Sequence, residues 1–279
     1  MKKILITGTS GFLGSRLLNY YKEKYTLFTP SHSEMDITEY TSVLHYFEQT
    51  NPDIVIHCAA ISDTGTCEKN PELSFQVNVT GSKNIAKAAS LYHSKCIICS
   101  SDQVYCNSKY DDTNCENDII TPYNVYGKHK LEAESSCLEI NKNSVLLRLA
   151  WMYDSNIDMT DSHSDFVKQL LQSLINHTIF SLPTNDKRGI TDVWEVIKNI
   201  EKTFDLPEGI YNFGAPNNKS TYETALSVLN TLSCDASYLK ERKYDNPRNL
   251  SMNQKKLNSF NIYFSSTEDA LIRCLKNYY

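Results

Sequence analysis

Apolar positions follow two rhythms along the chain, and the first fills its N-terminal half. Ile4, Leu5 and Ile6 form a short all-apolar run, the pattern of a strand buried on both faces. Phe12, Leu13, Leu17 and Leu18 then recur at helical spacing, so a helix opens near residue 12. A second strand is expected over 25–29 and a helix over 38–49. Asn51-Pro52 announces a third strand over 53–58. Pro71 stands where a helix begins, and that helix is expected to reach about residue 92. A fourth strand covers 96–99, a polar loop 107–121, a long helix opened by Pro122 runs to about 140, and a fifth strand covers 145–149. Strands alternating with helices predict an α/β chain with a Rossmann-like, doubly wound parallel sheet.

The rhythm changes after Trp151. Residues 154–164 are polar and read as a loop. Helices are expected over 165–176, 192–203, 221–232 and 267–277, the third headed by the capping-box pattern Ser220-x-x-Glu223. Short strands near 178–181 and 209–213 fall between them.

Glycines at 8, 11 and 14 occupy the junction between the first strand and the first helix. Gly8 permits a tight turn, Gly11 lets the backbone approach a pyrophosphate, and Gly14 lets helix and strand pack closely. The helix N-terminus adds N–H donors and partial positive charge. The spacing is G-x-x-G-x-x-G, and its strand–turn–helix setting points to a dinucleotide. The expected division is therefore 1–150 as an NAD(P)-binding domain and 151–279 as a smaller substrate-binding lobe, segments of which have room to complete the sheet.

Composition narrows the field. The chain has 279 residues, 41% hydrophobic and 22% charged, with a net charge of −5. Without a basic stripe, nucleic acid is not an expected partner. The apolar runs are far too short to span a membrane, and with a strand beginning almost at Met1 the expected location is the cytoplasm. Nine cysteines and seven histidines show no metal-ligand spacing. Cys96 and Cys99 form C-x-x-C inside a strand, and buried free thiols are the expected reading.

Tyr126 and Lys130 lie four residues apart, on one face of the helix after Pro122. An ammonium beside a phenol favours phenolate, so Lys130 is expected to lower the Tyr126 pKa. Such a pair exchanges a proton with a carbinol or ketone oxygen. Ser101 leaves the fourth strand at its carboxyl end, where open α/β sheets bind ligands, and can hydrogen-bond the same oxygen.

These residues resemble an extended short-chain dehydrogenase/reductase, and most of all the dTDP-4-dehydrorhamnose reductase family. The resemblance rests on Thr7-Gly-x-x-Gly-x-x-Gly14, Asp36-Ile-Thr38, the stretch from Pro52 to Ala60, Asn78, Ser100-Ser-Asp-x-Val-Tyr105, Asn124-Val-Tyr-Gly-Lys-x-Lys130, and Arg148 with Trp151. It covers residues 1 to about 153 well. It implies Ser101, Tyr126 and Lys130 as catalytic residues. It implies Gly8, Ser10, Gly11, Phe12, Leu13 and Gly14 at the pyrophosphate, Asp36 and Ile37 at the adenine, and Cys58, Ala59 and Ala60 at the nicotinamide ribose. Asn78 joins the cofactor set, and Ser101, Asp102, Val104 and Trp151 the substrate set. The implied activity is NAD(P)H-dependent reduction of a 4-keto-6-deoxy sugar nucleotide, as in dTDP-rhamnose biosynthesis, by a monomer or homodimer. Departures cluster where sugar and base would be read: Asp63-Thr-Gly-Thr66 replaces a Val-Asp-Lys stretch, Trp151-Met-Tyr-Asp154 ends without the usual glycine, and Asn246-Pro247-Arg248 replaces Arg-Pro.

Two alternatives stay open. One is a sugar-nucleotide epimerase or dehydratase; dehydratases carry acids after the fourth strand, and Gln103 here is no base. The other is a non-catalytic, NADP-binding regulatory subunit. For the cofactor, the second strand ends in Phe28-Thr29-Pro30-Ser31-His32 without an adjacent carboxylate to repel a 2′-phosphate. Ser31 and His32 can donate to that phosphate. NADPH is therefore the expected preference, with NADH tolerated.

Overall fold

The computed structural model describes residues 1–109, 113–157, 165–276 and 278. Two compact units are present, and they interleave along the chain. The first comprises residues 1–104, 121–148 and 197–211; the second comprises 105–120, 149–196 and 212–279.

A six-stranded parallel sheet anchors the first unit. Its strands in chain order are β1 (Lys3–Thr7), β2 (Thr26–Phe28), β3 (Ile54–His57), β4 (Lys95–Ser101), β5 (Ser144–Leu149) and, later, Gly209–Phe213. In space they run from Gly209–Phe213 through β5, β4, β3 and β1 to β2. The order reverses between β1 and β3, the switch point at which such sheets take ligands.

The central strands β1, β3, β4 and β5 are mostly apolar and buried because both their faces are covered, while the edge strand β2 is partly exposed. On one face Leu5, Val55, Cys96, Ile98 and Leu146 pack against α2 (Tyr40–Thr50) through Val43 and Phe47. The same cluster takes in Ile85, Ala86, Ala88 and Ala89. Helix α1 (Phe12–Tyr21) buries Leu13, Leu17 and Tyr21, and the Tyr21 hydroxyl donates to the Ile197 carbonyl at 2.8 Å.

The helix expected from Pro71 to about 92 forms, and its middle widens into a π-helical stretch. A short α3 (Thr64–Lys69) precedes it, capped by Asp63, whose carboxylate accepts from the Thr66 amide at 2.7 Å. Then come α4 (Pro71–Phe75), a π-helical turn (Gln76–Gly81) and α5 (Ser82–Leu91). The sequence pattern passed over α3 because its six residues, Thr-Gly-Thr-Cys-Glu-Lys, carry no apolar stripe. The long helix α6 (Val125–Ile140) starts three residues after Pro122, because Asn124 is its cap.

A chain of hydrogen bonds ties these pieces to the strand ends. Ala59 N–H donates to Thr7 Oγ1 at 3.2 Å, and Thr7 Oγ1 meets His57 Nδ1 at 2.7 Å. His57 Nε2 meets Ser82 Oγ at 3.2 Å, and Ser82 Oγ donates to the Asn78 carbonyl at 2.7 Å. Since the Ser82 proton goes to Asn78, Nε2 must carry the His57 hydrogen, and Nδ1 accepts from Thr7. Every partner is satisfied by a neutral imidazole. Burial, reinforced by the Lys130 charge, pushes the His57 pKa down to about 3.

The second unit has its own core. Helices α7 (Phe166–Asn176), α9 (Thr221–Thr231) and α11 (Thr267–Leu275) supply Leu170, Leu174, Val228, Leu229 and Leu271 to it; α8 is Val193–Lys202 and α10 Lys255–Asn258. The Ser220–Glu223 capping box at α9 is formed. Residues 105–120 join this unit through polar ties: Asn114 Nδ2 donates to the Asn249 and Ser251 carbonyls, each at 2.8 Å, and the Tyr105 hydroxyl donates to Asn212 Oδ1 at 2.8 Å. Those long-range amide bonds carry no periodicity. Parts of the expected loops, residues 110–112 and 158–164, and residue 277 of the expected last helix lie outside the described residues. Among the described residues no helix is long and apolar enough to cross a membrane.

The neutral His57 makes stability depend on pH. Its unfolded pKa lies near ~6.5 and its folded value near 3. The unfolded chain therefore binds the extra proton between those values, and stability falls as pH drops through that window. Urea unfolding of the wild type and of His57→Asn at pH 7, 6 and 5 checks this. The wild type is expected to lose up to about 1.4 kcal/mol per pH unit more than the variant below pH 6; parallel pH profiles would contradict the assignment.

Candidate functional site

The turn after β1 is built for close approach. Gly8 has φ +73°, and a Cβ there would stand 2.6 Å from the Ala59 nitrogen. A Cβ on Gly14 would collide with the Gly8 carbonyl. Gly11 is the N-cap of α1, so no side chain covers that helix end. Backbone donors facing an uncovered helix terminus fit a pyrophosphate. The fit to a dinucleotide thus rests on three positions, two of which reject a side chain. Arg16, just beyond, lies over the Phe12 ring at 4.0 Å and donates to the Phe12 carbonyl.

Residues past β2 depart from expectation. Glu34 folds back, and its carboxylate accepts from the Ser31 amide at 2.8 Å and the Ser31 hydroxyl at 2.7 Å. Both bonds hold its pKa below the usual carboxylate range. A carboxylate therefore does stand at the end of the second strand, carried there by the turn in which the Glu34 and Met35 amides donate to the Ser31 carbonyl. The expectation of NADPH preference rested on no carboxylate adjoining the strand; the fold brings Glu34 onto Ser31, a residue that expectation had donate to the 2′-phosphate. His32 is exposed, 3.8 Å from Asp36. Asp36 accepts from the Thr38 amide and hydroxyl, which lower its pKa. Ile37 packs against Gly81, where a Cβ would lie 2.7 Å from its Cδ1.

Asn78 is buried with its amide engaged. Its Oδ1 accepts from the Ile61 amide at 2.8 Å, and its Nδ2 donates to the Ile61 carbonyl at 2.9 Å. It braces the segment carrying Cys58, Ala59 and Ala60. Cys58 Sγ lies 3.6 Å from Cys99 Sγ.

The end of β4 and the start of α6 meet tightly. Asn124 Oδ1 accepts from the Gly127 amide at 2.6 Å, while its Nδ2 donates to Gln103 Oε1 at 3.1 Å. A Cβ on Gly127 would lie 2.5 Å from the Gln103 carbonyl. Glu68 of α3 accepts from the Val125 amide at 2.8 Å. Deeper along α6, Lys130 Nζ donates to the Cys99 carbonyl at 2.8 Å. The Ser100 hydroxyl donates to Glu134, which also holds the fully buried Arg148 at 2.7 Å.

This packing brings the Ser101 hydroxyl close enough to Tyr126 to offset part of the rise that burial imposes on the phenol's pKa. The Ser101 hydroxyl also contacts Asp102 Oδ1 at 3.3 Å and accepts from the Gln103 amide at 3.2 Å. Lys130 Nζ stands 5.7 Å from the centre of the Tyr126 ring. Burial raises the Tyr126 pKa above its ordinary value despite the Ser101 hydrogen bond. The expected net lowering is not found: burial is the largest influence on the phenol, with the Asp102 charge adding to it, and in the resting site the Lys130 ammonium donates to the Cys99 carbonyl. Burial also lowers the Lys130 pKa.

Of the implied substrate residues, Asp102 is buried, and Val104 is fully buried and offers no exposed side chain. Trp151 belongs to the second unit, edge-on to Phe166 at 5.8 Å with Arg188 over its ring at 4.8 Å. That unit also holds a cavity of about 370 Å³, lined by Lys187, Asn217, Asn249 and Ser251 among others. Arg248, where an Arg-Pro pair is expected, is gripped by Asp186 at 2.9 and 3.0 Å. Sequence reasoning assigned no role to Thr7, His57, Glu68, Ser82 or Glu134, although Thr7 and His57 lie within quoted motifs; only the fold gives them partners.

The family model described as the RmlD substrate binding domain matches residues 1–279. A dTDP-4-dehydrorhamnose reductase from Aggregatibacter actinomycetemcomitans is 30% identical over 82% of this chain and 79% of its own. Methionine adenosyltransferase 2 subunit beta from Bos taurus is 27% identical over 86% of this chain and 75% of its own. A crystal structure of dTDP-4-dehydrorhamnose reductase from Bacillus anthracis, in complex with NADP, superposes with a TM-score of 0.87 at 23% identity, covering 99% of both chains.

Gly127 is the point where α6 touches the turn after β4. Gly127→Ala is expected to destabilise the protein by about 1–3 kcal/mol through overpacking, read as a lower urea midpoint. An unchanged midpoint would show that this approach is not tight.

Proposed function

This chain belongs to the RmlD substrate-binding-domain family, and within it we propose a reductase that delivers hydride to C4 of a 4-keto-6-deoxy sugar nucleotide. It is an NAD(P)-dependent oxidoreductase. The observation that carries the finer reading is Tyr126, buried at the start of α6, where Asn124 ties that helix to Gln103 just past Ser101, and kept protonated by that burial. Reduction of a ketone needs an acid at the carbonyl oxygen, and a neutral phenol in a desolvated site is one.

The bound dihydronicotinamide supplies the hydride. Tyr126 gives its proton to the oxygen that gains charge, and the Ser101 hydroxyl holds that same oxygen. The phenolate left on Tyr126 is stabilised by the Lys130 charge through the buried site. An ammonium has three donors; one serves the Cys99 carbonyl, and the proposal assigns another to the nicotinamide ribose. Gly8, Ser10, Gly11, Phe12, Leu13 and Gly14 would take the pyrophosphate on the backbone.

The sugar class rests on the names of the reductase relatives. The same family likeness extends to a subunit of methionine adenosyltransferase, which supports the second reading of a cofactor-binding partner without turnover. Oxidation of NADPH by the keto sugar separates the two.

Tyr126→Phe is expected to lose at least ~10²-fold in turnover while binding NADPH with near wild-type affinity. Unchanged turnover with the authentic substrate would remove Tyr126 from the role.

With Glu34 on Ser31, both reduced cofactors should serve, and NADPH binding has to displace the Glu34–Ser31 contact. Glu34→Gln is expected to raise the ratio of NADPH to NADH affinity by about fivefold at low salt, a gain that fades as salt rises. Equal affinities before and after the substitution would show that Glu34 does not read the 2′ position.

A further inference from the structure

The Cys58 and Cys99 thiols take no part in the chemistry above, yet they face each other beside it. Strands β3 and β4 pair in parallel, with His57 opposite Ile98. The next pair in that register is Cys58 and Cys99. Neighbouring strands lie about 4.8 Å apart, within the Cα separation that a disulfide accepts, roughly 4.4–6.8 Å. The two sulfurs are 3.6 Å apart. Closing to the disulfide length of about 2 Å needs a sulfur displacement of about 1.5 Å, which side-chain rotation can supply.

We propose that Cys58 and Cys99 are an oxidation site that closes to a reversible disulfide at the end of β3 and β4, and that closure switches off the catalytic centre. Of the two residues Cys58 is the more exposed, half-buried where Cys99 is buried, so its side is the shorter path for a small oxidant. Three of the other buried thiols differ. Burial pushes Cys137 and Cys274 up to about 12 and Cys96 higher still. Within the pair, the hydrogen bond from the Cys58 thiol and the Lys130 charge favour a thiolate on Cys99.

The oxidant is a hydroperoxide, here hydrogen peroxide. One sulfur of the pair, as thiolate, attacks a peroxide oxygen; an S–O bond forms, the O–O bond breaks, and the leaving hydroxide takes a proton to become water. The second thiolate attacks the sulfenic sulfur; the S–S bond forms, the S–O bond breaks, and the second hydroxide leaves as water with the remaining thiol proton. Two thiols and one peroxide become one disulfide and two waters, with two electrons passing from sulfur to oxygen. Closure pulls on both strand ends. On one side lies the Cys99 carbonyl that anchors Lys130 at 2.8 Å; on the other lies the Cys58–Ala59 backbone against which Gly8 packs.

The effect on catalysis rests on the reductase reading; the disulfide does not. The full-length protein is treated with a small molar excess of hydrogen peroxide, alkylated with N-ethylmaleimide, digested and mapped by mass spectrometry. The expected result is a cross-linked peptide pair containing Cys58 and Cys99, two mass units lighter than the sum of its thiol forms and lost after dithiothreitol. Turnover is expected to fall at least tenfold on oxidation and to return on reduction. In Cys99→Ser, compared with its own untreated form, the cross-link is absent and peroxide leaves turnover within twofold. Cys58 and Cys99 both alkylated after treatment, or sulfinic acid without a cross-link, would overturn the site. A cross-link with unchanged turnover would overturn the switch. A protein with no reductase activity under any condition would sink the function while the mapping still reads the disulfide.

Discussion

The first unit depends on how helix α6 is fastened to the end of strand β4. Three buried polar ties do it: Asn124 to Gln103, Lys130 to the Cys99 carbonyl, and Ser100 through Glu134 to Arg148. None is strong as a free contribution to stability, because each buried group first loses water. Their effect is geometric. An unpaired Arg148 or Glu134 would be very costly in that interior, so the helix has one register in which all are satisfied. In that register Tyr126 meets Ser101, and Gly127 clears the Gln103 carbonyl.

Burial then decides protonation. The same packing that fixes Tyr126 withdraws it from water, and desolvation, with the Asp102 charge adding to it, outweighs the lowering influence of the Ser101 hydroxyl. The phenol stays an acid, the form a reductase needs at the outset. His57, a few residues from the glycine turn in space, is held neutral by the same means and by a hydrogen-bond chain with no place for a second ring proton. Two titratable groups of the first unit are thus set by the fold.

The sheet, its flanking helices and the glycine turn were legible in the sequence because periodicity and glycine spacing are local signals. Ser101, Tyr126 and Lys130 could be named as candidates because strand ends and i, i+4 spacing are local too, and the fold buries all three. What escaped was carried by long-range polar pairing: the Asn114 and Asn212 ties that give residues 105–120 to the second unit, and the register that sets Cys99 against Cys58 rather than leaving it an isolated buried thiol. Glu34 escaped for another reason. Its carboxylate lies three residues past Ser31 and reaches it only through a turn that Ser31-His32-Ser33 does not announce.

Net reduction of a keto sugar by the nicotinamide cofactor is the central claim, and deuterium tracing addresses it most directly. The protein is incubated with NADPH deuterated at the transferable C4 position of the nicotinamide and a dTDP-4-keto-6-deoxyhexose, and the sugar is examined by mass spectrometry and NMR. The account predicts one deuterium at C4 of the product sugar and one equivalent of cofactor oxidised per sugar formed. Sugar conversion without net cofactor oxidation, or with deuterium absent from C4, would contradict it.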